Sequence, residues 1–147
     1  MTSDQHIRLL GCHVSVSGSP ASAISNAMRL GATTIQFFGS SPRKWEVRTP
    51  RHDEMAEYLH DLKLSNVKKT FLHAPYLLNL GSANPVMRNK STEALAAHMK
   101  LAELFKCEGV VFHMGSSKGT IRQASVRDTI VGMKKVLSMT NSAFLIM

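Results

Sequence analysis

Three of the seven histidines in this chain close short apolar runs: His13 in Gly11-Cys12-His13-Val14-Ser15, His73 in Phe71-Leu72-His73-Ala74-Pro75, and His113 in Val111-Phe112-His113-Met114-Gly115. An imidazole at the end of an apolar segment needs a polar environment at that end. Metal ligation provides one, because neutral imidazole is a standard zinc donor. A hydrogen-bonded core histidine is the other reading for any one of them alone, and the repetition favours a shared rim. No HExxH or CxxC motif supports a metal independently. His6, His52, His60 and His98 fall in the N-terminal tail or on helical stretches and read as surface residues. Cys12 and Cys107 lie far apart, which argues against a disulfide framework and a zinc ribbon; both read as buried thiols. Cys12 also points away from His13, since successive strand residues face opposite sides, and no Ser/His/Asp triad can be assembled.

Two long loops stand beside these histidines. Residues 39–48, GSSPRKWEVR, place three cations around the only tryptophan, Trp45. Such a mixture can neutralise phosphate and stack or wedge against bases; a tryptophan packed beneath its own loop, with solvated cations, is the alternative. Residues 75–85, PYLLNLGSANP, set Tyr76, Leu77 and Leu78 just beyond His73, either as an exposed wedge or as side chains buried beneath the loop. The stretch Gly115-Ser116-Ser117-Lys118-Gly119 could offer backbone N–H groups and a cation to phosphate, but lacks the GxxxxGKS spacing.

The elements that must position these residues follow from periodicity. Short, nearly all-apolar runs at 9–15, 33–38, 70–74, 109–113 and 143–147 read as strands covered on both faces. Between them, apolar residues recur at helical spacing: Ile24, Ala27 and Met28; Met55, Tyr58, Leu59 and Leu62; Leu95, Met99, Ala102 and Phe105; Val126, Ile130, Met133 and Leu137. Ser19 before Pro20 and Thr49 before Pro50 read as helix starts, and Gly31 and Gly109 as stops. The chain thus reads as α/β, β1α1β2α2β3α3β4α4β5, in one domain over residues 1–147. Periodicity alone leaves open a finished doubly wound sheet and a (β/α)8 barrel cut near its middle. In either fold, function gathers at the C-terminal ends of the strands, where the three histidines lie.

Eighteen Lys and Arg against 10 Asp and Glu give a formal charge of +8. Nucleic acid heads the list of anionic partners, against the plainer reading that the charge only keeps the protein soluble. No run approaches the ~18 apolar residues of a membrane span, and the N-terminus MTSDQHIRLLG is too polar and short for a secretory signal. A soluble, cytoplasmic protein without membrane contact is expected.

The segments GCHVSVSGS, IQFFGSSPRKW, HAPYLLNLGS and VVFHMGS, in this order and spacing, resemble the successive strand-end motifs of the endonuclease IV family of zinc-dependent apurinic/apyrimidinic endonucleases. The resemblance runs from about Leu10 to the last residue. It implies a TIM barrel that binds three zinc ions and cleaves double-stranded DNA 5′ to abasic sites by zinc-activated hydroxide. By position, His73 and His113 match zinc ligands, and Arg43, Tyr76 and Leu77 match residues that penetrate DNA and hold the abasic nucleotide flipped out, with Trp45 in the same basic loop. His13 and Asn79 fall in motifs that border the pocket. Met114 stands where the family usually has proline, Cys12 where alanine is common, and Gly39-Ser40-Ser41 where Asn or Lys often precedes the proline; none removes a ligand. A sugar-isomerase-like barrel is the runner-up, but a small-sugar site has no use for a basic wedge. In the family, strand five ends in a bridging zinc carboxylate and the remaining ligands follow it, whereas Phe144-Leu145-Ile146-Met147 ends this chain. The expectation is an N-terminal half of the barrel, truncated at strand five and inactive alone. The alternatives are a non-catalytic DNA-binding half barrel and a subunit needing a C-terminal half in trans.

Overall fold

The computed structural model describes residues 8–140 and the backbone of 144–146. It contains β1 (Gly11–His13), α1 (Ala21–Leu30), β2 (Thr34–Phe38), α2 (His52–Leu64), β3 (Lys69–His73), α3 (Pro85–Leu104), β4 (Gly109–Val111), α4 (Arg122–Ser138) and β5 (Phe144–Ile146). The alternation is the one expected, and the strands lie in the sheet in chain order. The architecture is a partial TIM barrel. Most strands are shorter than the apolar runs: His113 lies two residues beyond the end of β4. His6, Ala143 and Met147 fall outside the described residues. Among the described residues, no helix is long and apolar enough to cross a membrane. The chain divides into two compact units, Met1–Phe37 with Pro50–Thr70, and Phe38–Thr49 with Phe71–Met147.

In the first unit β1 and β2 pair in parallel, Cys12 opposite Ile35 and His13 opposite Gln36. The start of β3 joins them through Lys68 N–H to the Thr33 carbonyl (2.7 Å) and the Thr34 hydroxyl to the Lys69 carbonyl (3.0 Å). Ile24, Ala27, Ile35, Phe37 and Tyr58 fill the core, and Met28, expected on the α1 stripe, is exposed. Cys12 is exposed rather than buried. Gly31 ends α1 in the left-handed region as its sequence position implies. The expected starts shift inward. Pro20 itself caps α1, with the Ser19 carbonyl rather than its hydroxyl accepting from Ser22 N–H at 3.1 Å. Arg51 caps α2, because the buried Glu54 carboxylate accepts its backbone N–H at 2.8 Å.

In the second unit β3, β4 and β5 pair in parallel, with His73 opposite Val111 and Val111 opposite Ile146. Asn84 caps α3, its side-chain oxygen accepting from Val86 N–H at 2.9 Å, and Pro85 occupies the first turn, where no N–H is needed. Leu95, Met99 and Ala102 of α3, with Phe105 just after it, form the core as their spacing predicts. Gly109 does not stop this helix; it begins β4, and Lys106 takes the left-handed conformation instead.

The face of α4 is the main correction. Val126, Ile130 and Leu137 are about half exposed, while Ser125, Thr129, Gly132 and Val136 are buried. These are the residues small enough to let the 75–84 loop approach. A Cβ on Gly81 would collide with the Ser125 hydroxyl, and one on Gly132 would lie 3.2 Å from Leu80 Cδ2. Thr129 is buried at little cost because its hydroxyl donates to the Ser125 carbonyl at 2.9 Å. Accordingly, Val136→Ala is expected to lower unfolding free energy by about 2 kcal/mol, and Ile130→Ser by less than about 0.5 kcal/mol. Urea denaturation of both variants checks this, and the reverse order would return the core to the apolar stripe.

Candidate functional site

The second unit brings His73, His113, Tyr76 and Phe38 together. Parallel pairing sets His73 beside Val111, so His113, two residues on, projects to the same side of the sheet. The two imidazole rings are 5.2 Å apart between centroids. Tyr76 stacks on His113 at 6.0 Å with 27° between planes, and lies 5.6 Å from His73. Phe38, at the end of β2, meets His73 edge-on at 5.0 Å and Tyr76 at 5.5 Å.

His73 is 7% exposed, and its Nδ1 lies 2.6 Å from the Ala74 carbonyl. A carbonyl only accepts, so Nδ1 carries the proton and the lone pair of the neutral ring sits on Nε2. That is the tautomer a metal-binding histidine needs, with the ring orientation fixed by the second nitrogen. Burial holds the His73 pKa below its ordinary value; the Ala74 hydrogen bond opposes this and the nearby His113 adds to it. His113 is exposed.

The two loops meet at the backbone, where Tyr76 N–H donates to the Pro42 carbonyl at 3.3 Å. Tyr76 is 62% exposed, Leu77 half-buried and Leu78 buried, so only part of the expected wedge reaches solvent. Arg43 is exposed. Trp45 is half-buried, with the Lys90 ammonium of α3 over its ring at 4.7 Å.

Asn79 acts as a strut between loops. Its backbone N–H donates to the Ser91 hydroxyl at 2.9 Å, and its side-chain amide donates to the Ser116 carbonyl at 3.0 Å. Gly115 (φ 99°) lies so close that a Cβ there would collide with the Asn79 side chain. The loop that follows His113 is therefore tied to the loop that follows His73. His13 belongs to the first unit, exposed, with its Nδ1 2.9 Å from the Gln36 side-chain nitrogen.

Sequence reasoning missed Phe38, Lys90 and His98. His98, read as a surface residue, is 1% exposed, with Nδ1 2.8 Å from the Ala94 carbonyl and Nε2 3.1 Å from the Ser40 hydroxyl. Its place among Leu95, Met99 and Ala102 in the helical repeat was the available signal.

The donor chemistry at His73 and His113 suits zinc, but the count is short. A catalytic zinc normally takes three protein ligands, and among the described residues no group of three His, Cys, Asp or Glu could hold a metal ion. Charge is also uneven. The unit carrying the site has twelve Lys and Arg against five Asp and Glu, and the other unit six against five.

Burial depresses the pKa of both His73 and His98 from the ordinary 6.5. The folded state then binds fewer protons than the unfolded chain, so their contribution to stability is complete above that value and is lost as pH falls through it. The urea midpoint is expected to hold between about pH 8 and 7 and to decline below about 6.5, less steeply in His98→Phe. A midpoint that rises on acidification would contradict this.

Several known proteins resemble this chain. Residues 24–145 match the family model described as a xylose isomerase-like TIM barrel. A Persephonella marina protein named "Probable endonuclease 4" is 34% identical over 129 residues, 88% of this chain and 45% of that protein. The crystal structure of endonuclease IV from Thermus thermophilus superposes with a TM-score of 0.77 at 29% identity, covering 92% of this chain and 49% of the other. A D-psicose 3-epimerase from Clostridium cellulolyticum shares the fold alone, with a TM-score of 0.62 at 10% identity over 88% of this chain and 47% of that one. The chain spans about half the length of the curated relatives it matches.

Proposed function

The chain belongs to the xylose isomerase-like TIM-barrel family, and from that premise we propose that it works in a DNA-repair endonuclease that hydrolyses the phosphodiester 5′ to abasic sites. The observation that carries this reading is the convergence of His73 and His113, 5.2 Å apart, under an exposed Tyr76. The likeness to endonuclease IV supports it, as does the concentration of positive charge in the unit that holds the pair. The sugar-epimerase reading is weaker, because an open site flanked by Arg43 and Lys44 has more to offer a phosphate backbone than a small neutral sugar.

In this reading His73 and His113 supply two of the donors to zinc, whose Lewis acidity activates water and steadies phosphate oxygens. Two imidazoles do not complete a catalytic centre, so hydrolysis needs donors beyond those described. The chain's own residues bind and position. Arg43 and its neighbours neutralise phosphates. Tyr76 and Leu77 present ring and aliphatic surface where an abasic nucleotide, already unpaired, leaves the stack at low cost. Asn79 keeps the loops around the two histidines in register. A cytoplasmic setting belongs to this reading.

The short donor count favours one second reading: taken alone, these residues make a DNA-binding half barrel that becomes catalytic only with a C-terminal half, in the same chain or in trans. Fluorescence anisotropy with matched duplexes, one containing an abasic analogue, tests the DNA reading. Preference for the abasic duplex is expected, weakening with salt, and Tyr76→Ala should cost about tenfold in affinity. Equal affinity for intact DNA would contradict the repair reading. Incision in the presence of zinc is expected only when the C-terminal half of a relative is added; incision by the 147 residues alone would show that the two histidines suffice.

A further inference from the structure

The 39–48 loop has no regular secondary structure, yet α3 holds it at its start and again at Trp45. Gly39 packs so tightly that a Cβ there would lie 2.7 Å from Leu101 Cδ2 of α3 and 3.0 Å from Leu72 Cδ1. Next to it, the Ser40 hydroxyl lies 3.1 Å from Nε2 of His98. The opposite ring nitrogen faces the Ala94 carbonyl at 2.8 Å, which places the proton on Nδ1 and makes Nε2 the acceptor of the serine's O–H. Further along, the Lys90 ammonium covers the Trp45 ring at 4.7 Å. His98 and Lys90 both belong to α3, two turns apart on a rigid helix.

A buried histidine that spends both ring nitrogens on backbone and loop adds specificity that a leucine at the same place would not. An apolar residue would fill the volume but leave the Ser40 hydroxyl to find water, and the loop to find another seat. We propose that His98 is a positioning residue: by anchoring Ser40 it seats the 39–48 loop on α3 and so holds Trp45 against Lys90 and Arg43 next to Pro42, whose carbonyl meets Tyr76. The seating follows from geometry alone. Its consequence for DNA rests on the repair reading above.

Trp45 is the only tryptophan of the chain, so its fluorescence reports the loop directly. The experiment measures iodide quenching of Trp45, together with abasic-duplex affinity, in the full chain and in Ser40→Ala, His98→Phe and His98→Gln. Ser40→Ala and His98→Phe remove the hydrogen bond from opposite sides, and His98→Phe keeps the ring volume. Both are expected to raise the quenching constant about two- to threefold and to weaken abasic-duplex binding about tenfold, while His98→Gln, which restores an acceptor, returns both toward the parent values. Quenching unchanged in Ser40→Ala and His98→Phe would overturn the proposal. If His98→Phe fails to fold, Ser40→Ala decides, because the hydroxyl is removed from the loop and leaves the core intact. If the parent chain shows no preference for the abasic duplex, the repair reading fails, and the quenching constants still decide whether His98 seats the loop.

Discussion

The parallel register of β3 against β4 is the constraint on which the rest of the site depends. With His73 opposite Val111, His113, two residues beyond the end of β4, comes to the same side of the sheet as His73. A slip of one residue would turn His113 to the other face, since strand side chains alternate with a period of two. The register is set from beneath by Leu72, Val110 and Phe112, all buried, and from above by Ala74 N–H donating to the Val111 carbonyl at 2.8 Å. Sliding β4 would therefore expose large apolar side chains as well as separate the histidines, and burial of those side chains is worth about 1.5–3 kcal/mol each.

From that fixed pair, the structure builds outward by tying loops to helices. Asn79 links the two loops that follow His73 and His113. The small face of α4 admits Leu80 and Gly81, and α3 carries the basic loop through His98 and Lys90. The Asn79 and His98 ties are hydrogen bonds from half-buried or buried side chains, where such a bond holds more firmly than at an open surface. The outcome is that His113, Tyr76 and Arg43 are exposed while His98, Gly132 and Leu80 beneath the loops are buried. Long loops can then remain ordered without strands or helices of their own.

Much of this was legible in the residues. The alternation of elements, the cores around Ile24, Phe37 and Leu95, and the placement of His73 and His113 near strand ends all follow from period and composition, but the expected burial of the strands on both faces does not hold throughout: β1 is exposed along its length, and β2 alternates buried Ile35 and Phe37 with half-buried neighbours. The face of α4 was not legible. Hydrophobicity marks Val126 and Ile130, while close approach of a loop selects Ser125, Thr129 and Gly132, and a one-dimensional pattern cannot see the loop. His98 was hidden for a related reason: a histidine on an apolar face looks polar until its two hydrogen-bond partners, one of them 58 residues away, are known. Cap positions shifted because Glu54 supplied a bond that Thr49 was expected to make.

The hydrolytic role proposed for the site requires His73 and His113 to act as one donor pair. Two-dimensional NMR of the histidine side-chain nitrogens during a zinc titration reads that pairing at the atoms concerned. The Nε2 signal of His73 and the ring signals of His113 are expected to move with a common midpoint while Nδ1 of His73 stays protonated, and either histidine changed to alanine should abolish the response of the other. Independent midpoints, or a response confined to the exposed His52 and His60, would contradict the pairing.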